Sequence, residues 1–163
     1  MSIDLKIITL TEVPTAVVRG DAIMADQLTD FYDHAFSSVF AALTSLGIQP
    51  TGPAFGLYTA MEQGEVPTFG LEVGVPVSAP LAESIHLPGH DPVHGSILPG
   101  GRVATTSHRG NYAGLSHAWT EFLNEAQTQG LVPADPMWEV YVTEPSPEAD
   151  PNSMVTELYF SLK

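Results

Sequence analysis

The sequence predicts an α+β fold of two pseudo-symmetric βαββ repeats, side by side, with a central ligand cleft. Three observations carry this. Residues recur at a fixed offset across the chain. Two segments show an apolar stripe at helical spacing, each followed by a glycine. The segments after those glycines alternate polar and apolar side chains, the period of a strand.

The repeat comes first, because self-similarity decides the architecture. Gly47, Pro50, Pro53, Phe55 and Tyr58 align with Gly130, Pro133, Pro136, Trp138 and Tyr141, all 83 residues later. Upstream, the segment from Ala16 to Gly20 resembles the one from Ala104 to Gly110, and downstream, 69–75 resembles 155–160. Each half therefore reads strand, helix, strand, strand. The chain is expected to be one domain over 1–163, with repeat 1 at about 1–78, a linker at about 79–101 and repeat 2 at about 102–163.

In the first predicted helix, Leu28, Phe31, Ala35, Val39, Leu43 and Leu46 recur every three or four residues. Asp26 is placed to cap its start and Gly47 to end it. In the second, Leu115, Trp119, Phe122, Leu123 and Ala126 repeat the pattern, with Asn111 as the cap and Gly130 in the place of Gly47. One apolar stripe per helix means that each lies on a sheet.

The strands allow faces to be assigned. Over 137–143, Trp138, Val140 and Val142 share one face, and Met137, Glu139, Tyr141 and Thr143 the other. Over 154–162, Met154, Leu158, Phe160 and Leu162 are the apolar set, opposed by Glu157 and Tyr159. Over 69–77, Phe69, Leu71, Val73, Val75 and Val77 oppose Gly70, Glu72 and Gly74. The apolar faces are expected under the helices, Phe55 and Trp138 with them. The second faces then carry Tyr58, Glu72, Glu139, Tyr141, Glu157 and Tyr159 together. Aromatics and carboxylates on one concave surface are the composition of a small-molecule site. The stretch 79–101, rich in Pro and Gly, reads as a loop.

Composition excludes several functions. There are 163 residues, no Cys, and 5 Lys+Arg against 19 Asp+Glu, a formal net charge of -14. Without Cys there are no disulfides, thiolate metal sites or cysteine nucleophiles. A nucleic-acid binder needs basic residues to displace phosphate counterions, so no direct nucleic-acid binding is expected. The acidic field draws cationic small molecules or a basic protein partner; the alternative is that it serves solubility alone. No membrane span or signal peptide is recognised, and a cytoplasmic location is expected.

Glu139 is the sharpest candidate for chemistry. Its repeat partner is Gly56, so the repeat breaks there, and Gly56 leaves room opposite it. A carboxylate between Met137 and Tyr141 is costly to bury without partners, so it is either exposed or functional. Tyr58 and Tyr141, equivalent in the repeat, are placed to hold a flat or cationic ligand against their π faces; half-buried strand aromatics are the plain alternative. Tyr112, Trp119 and Tyr159 complete the candidate ligand set, although the stripe position of Trp119 also suits a core residue. Glu72 and Glu157 read as solvated strand residues. His86, His90 and His94 are spaced by four, but Pro88, Gly89 and Pro92 forbid the helix that would make them converge, and no metal site or cofactor is expected. His108 and His117 lack a triad context.

These residues resemble the GyrI-like (gyrase-inhibitor-like) family, also called the AraC-type effector-binding domain. The likeness rests on His108, Arg109, Gly110, Asn111 and Tyr112, on the helix through Trp119 and Phe122, on the run from Trp138 to Pro145, and on Met154 to Leu162. It implies two βαββ units around a ligand cleft, with Glu139 at the position of a buried Glu that holds lipophilic cations among aromatic rings. Other members resemble hydrolases of cyclopropane-containing toxins, which use a Glu with nearby aromatics; on that alternative Glu139 would be general base and Tyr141 or Tyr58 a donor. Gyrase-inhibitor members act on a protein. The first repeat begins by about residue 3, so no DNA-binding helix-turn-helix is expected. The reading is a stand-alone binder of hydrophobic or cationic small molecules, for multidrug or toxin sensing or sequestration. Hydrolysis is the first alternative and protein interaction the second.

Overall fold

The repeat in the sequence is a repeat in three dimensions. The computed structural model describes residues 4–62, 68–110, 114–142 and 154–162. In order, the elements are β1 (Lys6–Leu10), β2 (Val13–Met24), a 3-10 turn (Ala25–Gln27), α1 (Leu28–Leu46), β3 (Phe55–Glu62), β4 (Thr68–Pro76), β5 (His94–Leu98), β6 (Gly101–Arg109), α2 (Leu115–Thr128), β7 (Pro133–Tyr141) and β8 (Val155–Leu162). The chain divides into two compact units, Glu12–Pro99, and Met1–Thr11 with Gly100–Lys163.

The first unit is the antiparallel series β5-β2-β4-β3 with α1 on one face. The second is β1-β6-β8-β7 with α2 on one face. Each is a βαββ motif with one added edge strand. The added strands are exchanged in sequence: β1 leads into β2 but pairs with β6, and β5 leads into β6 but pairs with β2.

Gly47 and Gly130 end the two helices in equivalent left-handed turns, at φ 69° and 75°, which a residue without Cβ adopts at least cost. Leu43 O and Ala126 O accept the N–H groups of Ile48 and Leu131. The start of α1 differs from expectation. Asp26 lies inside the 3-10 turn, and the cap position is Gln27, with no side-chain cap bond. Its Oε1 instead accepts the N–H of Met24 at 3.1 Å. Asn111 lies outside the described residues.

The stretch 79–101 is not only a loop. It contains β5, paired with Val13–Val17, and the bridge Ile85↔Val93. Val93 is buried in the α1 core, with Leu81, Ile85 and Leu87 against it. A five-residue edge strand between Pro- and Gly-rich flanks has too little alternation to stand out from sequence.

The helix-facing sides carry two cores. In the first unit Ala16, Val18, Leu71, Val73 and Val75 pack on Ala35, Val39, Ala42 and Leu43. In the second, Ala104, Leu158 and Phe160 pack on Ala118, Phe122 and Ala126, with Met137 and Trp119 against them. Here β7 overturns the expected assignment. Met137, Glu139 and Tyr141 lie on the α2 side, and Trp138 lies on the other. Likewise Phe55 is opposite Gly74, on the face away from α1. Yet Trp138 and Phe55 are both only 1% exposed. Alternation says which residues share a face; it does not say which face lies under a helix when both are buried.

Candidate functional site

Strand β7 places Glu139 opposite Leu158 of β8, on the face that α2 covers. It is 4% exposed, so its carboxylate has lost nearly all contact with water. Burial of this kind persists only with hydrogen bonds in compensation. Two are supplied by residues named from sequence. Trp119 Nε1–H donates to Oε1 at 2.6 Å, and the Tyr141 hydroxyl donates to Oε2 at 2.8 Å. Both are short, as bonds to a charged acceptor are.

Each donor is held in place. Trp119 tilts against Phe122 with ring centroids 5.8 Å apart, and Phe122 against Phe160 at 4.7 Å. The indole is thus anchored by the core while its N–H reaches the carboxylate. Tyr141 is two residues along β7, so alternation puts it beside Glu139, itself buried. Trp119 is therefore both a core residue and a partner of Glu139.

The next row across the sheet adds Thr156, which the sequence did not single out. His108 of β6 faces Thr156 of β8, which faces Tyr141 of β7. Thr156 is fully buried, and its Oγ1 has no hydrogen-bond partner among the described residues. A Thr in a strand carries no local signal, so only the register reveals it.

The other candidates are carried by other strands. Gly56, buried, and Tyr58 lie opposite Val73 and Leu71, on the α1 side of the first unit. Tyr58 meets Phe69 edge-on at 5.8 Å. Tyr159 does not join Glu139: it is on the opposite face of its sheet, stacked on Trp138 at 5.2 Å and 3°. Its hydroxyl donates to Glu157 at 3.1 Å. Burial, reinforced by the Glu157 charge, pushes its phenol up to about 12. With Leu158 opposite Glu139 in the register, alternation along β8 turns Tyr159 to the other face. Glu72 is no solvated residue either: it accepts from Arg19 Nε at 3.1 Å and from Ser96 Oγ at 2.6 Å. Tyr112 lies outside the described residues.

The histidines do not converge. His90 Nδ1 pairs with Ser38 Oγ at 3.3 Å, His94 Nδ1 with Ser84 Oγ at 2.7 Å, and His117 with Glu121 at 2.9 Å. Among the described residues no three metal-binding side chains gather, and no helix is long and apolar enough to cross a membrane.

A family model for the GyrI-like small molecule binding domain matches residues 4–163. The chain belongs to this family. Solved structures share its fold at low identity. The EcmrR C-terminal domain superposes with a TM-score of 0.80 at 15% identity, over 100% of this chain and 99% of that one. A hydrolase from Listeria innocua gives 0.67 at 15%, over 99% and 93%. SAV2435 bound to tetraphenylphosphonium gives 0.66 at 11%, over 99% and 94%. No curated protein matches the chain. As a GyrI-like domain, the chain has small-molecule binding as its general function.

Proposed function

We propose that this GyrI-like chain acts as one effector-binding-type domain, and that it binds hydrophobic cations at a site centred on Glu139. The observation that carries the reading is the Glu139 carboxylate, buried and held by Trp119 and Tyr141. Both of these donors are neutral. A buried negative charge set among aromatic rings favours a cation whose own hydration is weak. A fold relative in complex with tetraphenylphosphonium supports this ligand class, as does a net charge of -14.

The test is titration with tetraphenylphosphonium and with neutral triphenylphosphine oxide, read by fluorescence and thermal shift. A cation about 5 Å from the carboxylate gains ~3 kcal/mol at an effective dielectric of about 20, before desolvation. Glu139→Gln should therefore weaken the cation about 10- to 100-fold and leave the neutral compound within about threefold. Equal losses for both compounds would sink the reading.

Hydrolysis is the second reading, favoured by the Tyr141 hydroxyl 2.8 Å from Glu139, which pairs a base with a proton donor. It ranks lower because both carboxylate oxygens already accept hydrogen bonds, and each such bond makes the carboxylate a weaker base towards water. Turnover of an electrophilic cyclopropane, lost in Glu139→Gln, would promote it.

A further inference from the structure

The row that Thr156 occupies has a counterpart in the first unit, and the two differ in polarity. In the second unit Tyr141 of β7 lies opposite Thr156 of β8, and Thr156 opposite His108 of β6. In the first unit Tyr58, the repeat equivalent of Tyr141, lies opposite Leu71 of β4, and Leu71 opposite Gly20 of β2. Leu71 is 1% exposed and Thr156 0%. The fold therefore asks only for a buried side chain at this place, and an apolar one serves. Thr156 brings a hydroxyl instead, and its Oγ1 has no hydrogen-bond partner among the described residues. A buried hydroxyl without a partner is destabilising, a penalty that Leu71 avoids.

This hydroxyl lies on the Glu139 face of its sheet. Alternation along β8 puts Thr156 with Leu158 and Phe160, which pack on α2, and Leu158 is the residue opposite Glu139. Side chains directly opposite in antiparallel strands have Cβ atoms about 4.5–5.5 Å apart, and diagonal ones are about 7–8 Å apart. Tyr141 thus adjoins Glu139 along its own strand and Thr156 across the sheet. The Tyr141 hydroxyl commits its one proton to Glu139 Oε2 at 2.8 Å, whereas the Thr156 proton has no acceptor. His108 closes the far end of the row. Its imidazole lies against the start of α2, where a Cβ at Gly114 would meet Cε1 at 3.0 Å and Nε2 at 3.3 Å.

Resting on the Glu139 reading above, we propose that Thr156 determines specificity at that site: its Oγ1–H donates to a carbonyl or ether oxygen of the bound cation. The diagonal from Glu139 to Thr156 sets the distance between the positive charge and the oxygen, about 7 Å. The ligand class narrows accordingly, from hydrophobic cations to hydrophobic cations that carry an oxygen acceptor at that spacing. All of these residues belong to one unit.

The 163-residue chain is titrated with (4-acetylphenyl)trimethylammonium and with (4-isopropenylphenyl)trimethylammonium. The two cations have one shape and differ in a carbonyl oxygen against a methylene. Thr156→Val, equal in shape to threonine, should lower the affinity ratio of acetyl to isopropenyl compound about three- to tenfold, the worth of one neutral hydrogen bond. Thr156→Ser, which keeps the hydroxyl, should keep the ratio. Far-UV circular dichroism checks that each variant is folded. A ratio that moves by less than about twofold in folded Thr156→Val overturns the proposal. Without ligand, Thr156→Val should hold or raise Tm, since it removes an unpaired polar group; a fall of more than about 5 °C would mean that the hydroxyl has a partner in the free protein, and overturns the proposal too. Glu139→Gln should weaken both cations alike. If it weakens neither, the Glu139 reading fails, while the Thr156→Val ratio still judges the hydroxyl. If tetraphenylphosphonium binds and neither probe does, this proposal fails and the Glu139 reading stands; if none of the three binds, both fall.

Discussion

Replacing Trp119 by Phe keeps most of the ring in the α2 core and deletes one atom of consequence, the N–H that reaches Glu139 Oε1 at 2.6 Å. A hydrogen bond to a charged group contributes about 1.5–3 kcal/mol and a neutral one about 0.5–1.5. The loss of ring volume adds a packing cost, so the substitution should destabilise by about 2–4 kcal/mol and lower Tm by roughly 5–10 °C. The packing cost is the same whether residue 139 is Glu or Gln, but the hydrogen-bond cost is not. A double-mutant cycle with Glu139→Gln should therefore show a coupling of about 1–1.5 kcal/mol, the difference between a charged and a neutral acceptor. Urea unfolding followed by far-UV circular dichroism measures it without relying on the deleted fluorophore. A coupling within about 0.4 kcal/mol of zero, the usual error of additivity, would refute the view that the indole N–H holds a carboxylate rather than merely filling the core.

Tyr141→Phe removes the donor to Glu139 Oε2 and should cost about 1.5–3 kcal/mol in the same assay, with Tyr58→Phe as the repeat-equivalent comparison. Tyr159 should ionise near pH 12 in an ultraviolet titration, and Glu157→Gln should bring it down, because burial comes first and the Glu157 charge second among the causes. Since the folded phenol holds its proton to higher pH than the unfolded one, its contribution is intact below pH ~10 and is lost as pH rises toward 12; Tyr159→Phe should flatten the fall in stability over that window. Gly74→Ala would put a Cβ 1.9 Å from the carbonyl oxygen of Ala16, a backbone contact that side-chain motion cannot relieve. A loss of more than about 3 kcal/mol in urea unfolding, beyond ordinary overpacking, is expected.

The repeat, both helices and the strand alternation were legible because each rests on local periodicity or on identity at a fixed offset. The pairing of Glu139 with Tyr141 was legible for the same reason, being two residues apart in one strand. What was not legible depends on the third dimension. Trp138 is apolar and fully buried, so it looks like a residue beneath a helix, yet it is buried on the face away from α2. Tyr159 was grouped with Glu139 by composition, although β8 turns it toward Trp138. Glu72 gained partners from β2 and β5, the second of which was hidden in a Pro- and Gly-rich stretch. Thr156 entered only through its register between His108 and Tyr141.

The two repeats differ at two positions together, and that pairing has a physical meaning. The tyrosines agree, Tyr58 with Tyr141, but Glu139 and Trp119 are replaced by Gly56 and Phe36. The carboxylate and the N–H that holds it are present in one unit and absent together from the other. A buried carboxylate requires donors, whereas a glycine requires none, so a ring without an N–H suffices there. Gly56→Glu should accordingly be severely destabilising, by about 3–5 kcal/mol, since it buries a charge with no indole to meet it. Adding Phe36→Trp should return about 1.5–3 kcal/mol of that loss, while Phe36→Trp alone, an enlargement without a carboxylate to bond, should be neutral to unfavourable. Chemical unfolding of the four proteins decides the matter. If the two substitutions are additive, the paired difference between the repeats is a coincidence of packing; if Trp rescues Glu, the second unit's Trp119 is there to hold its charge.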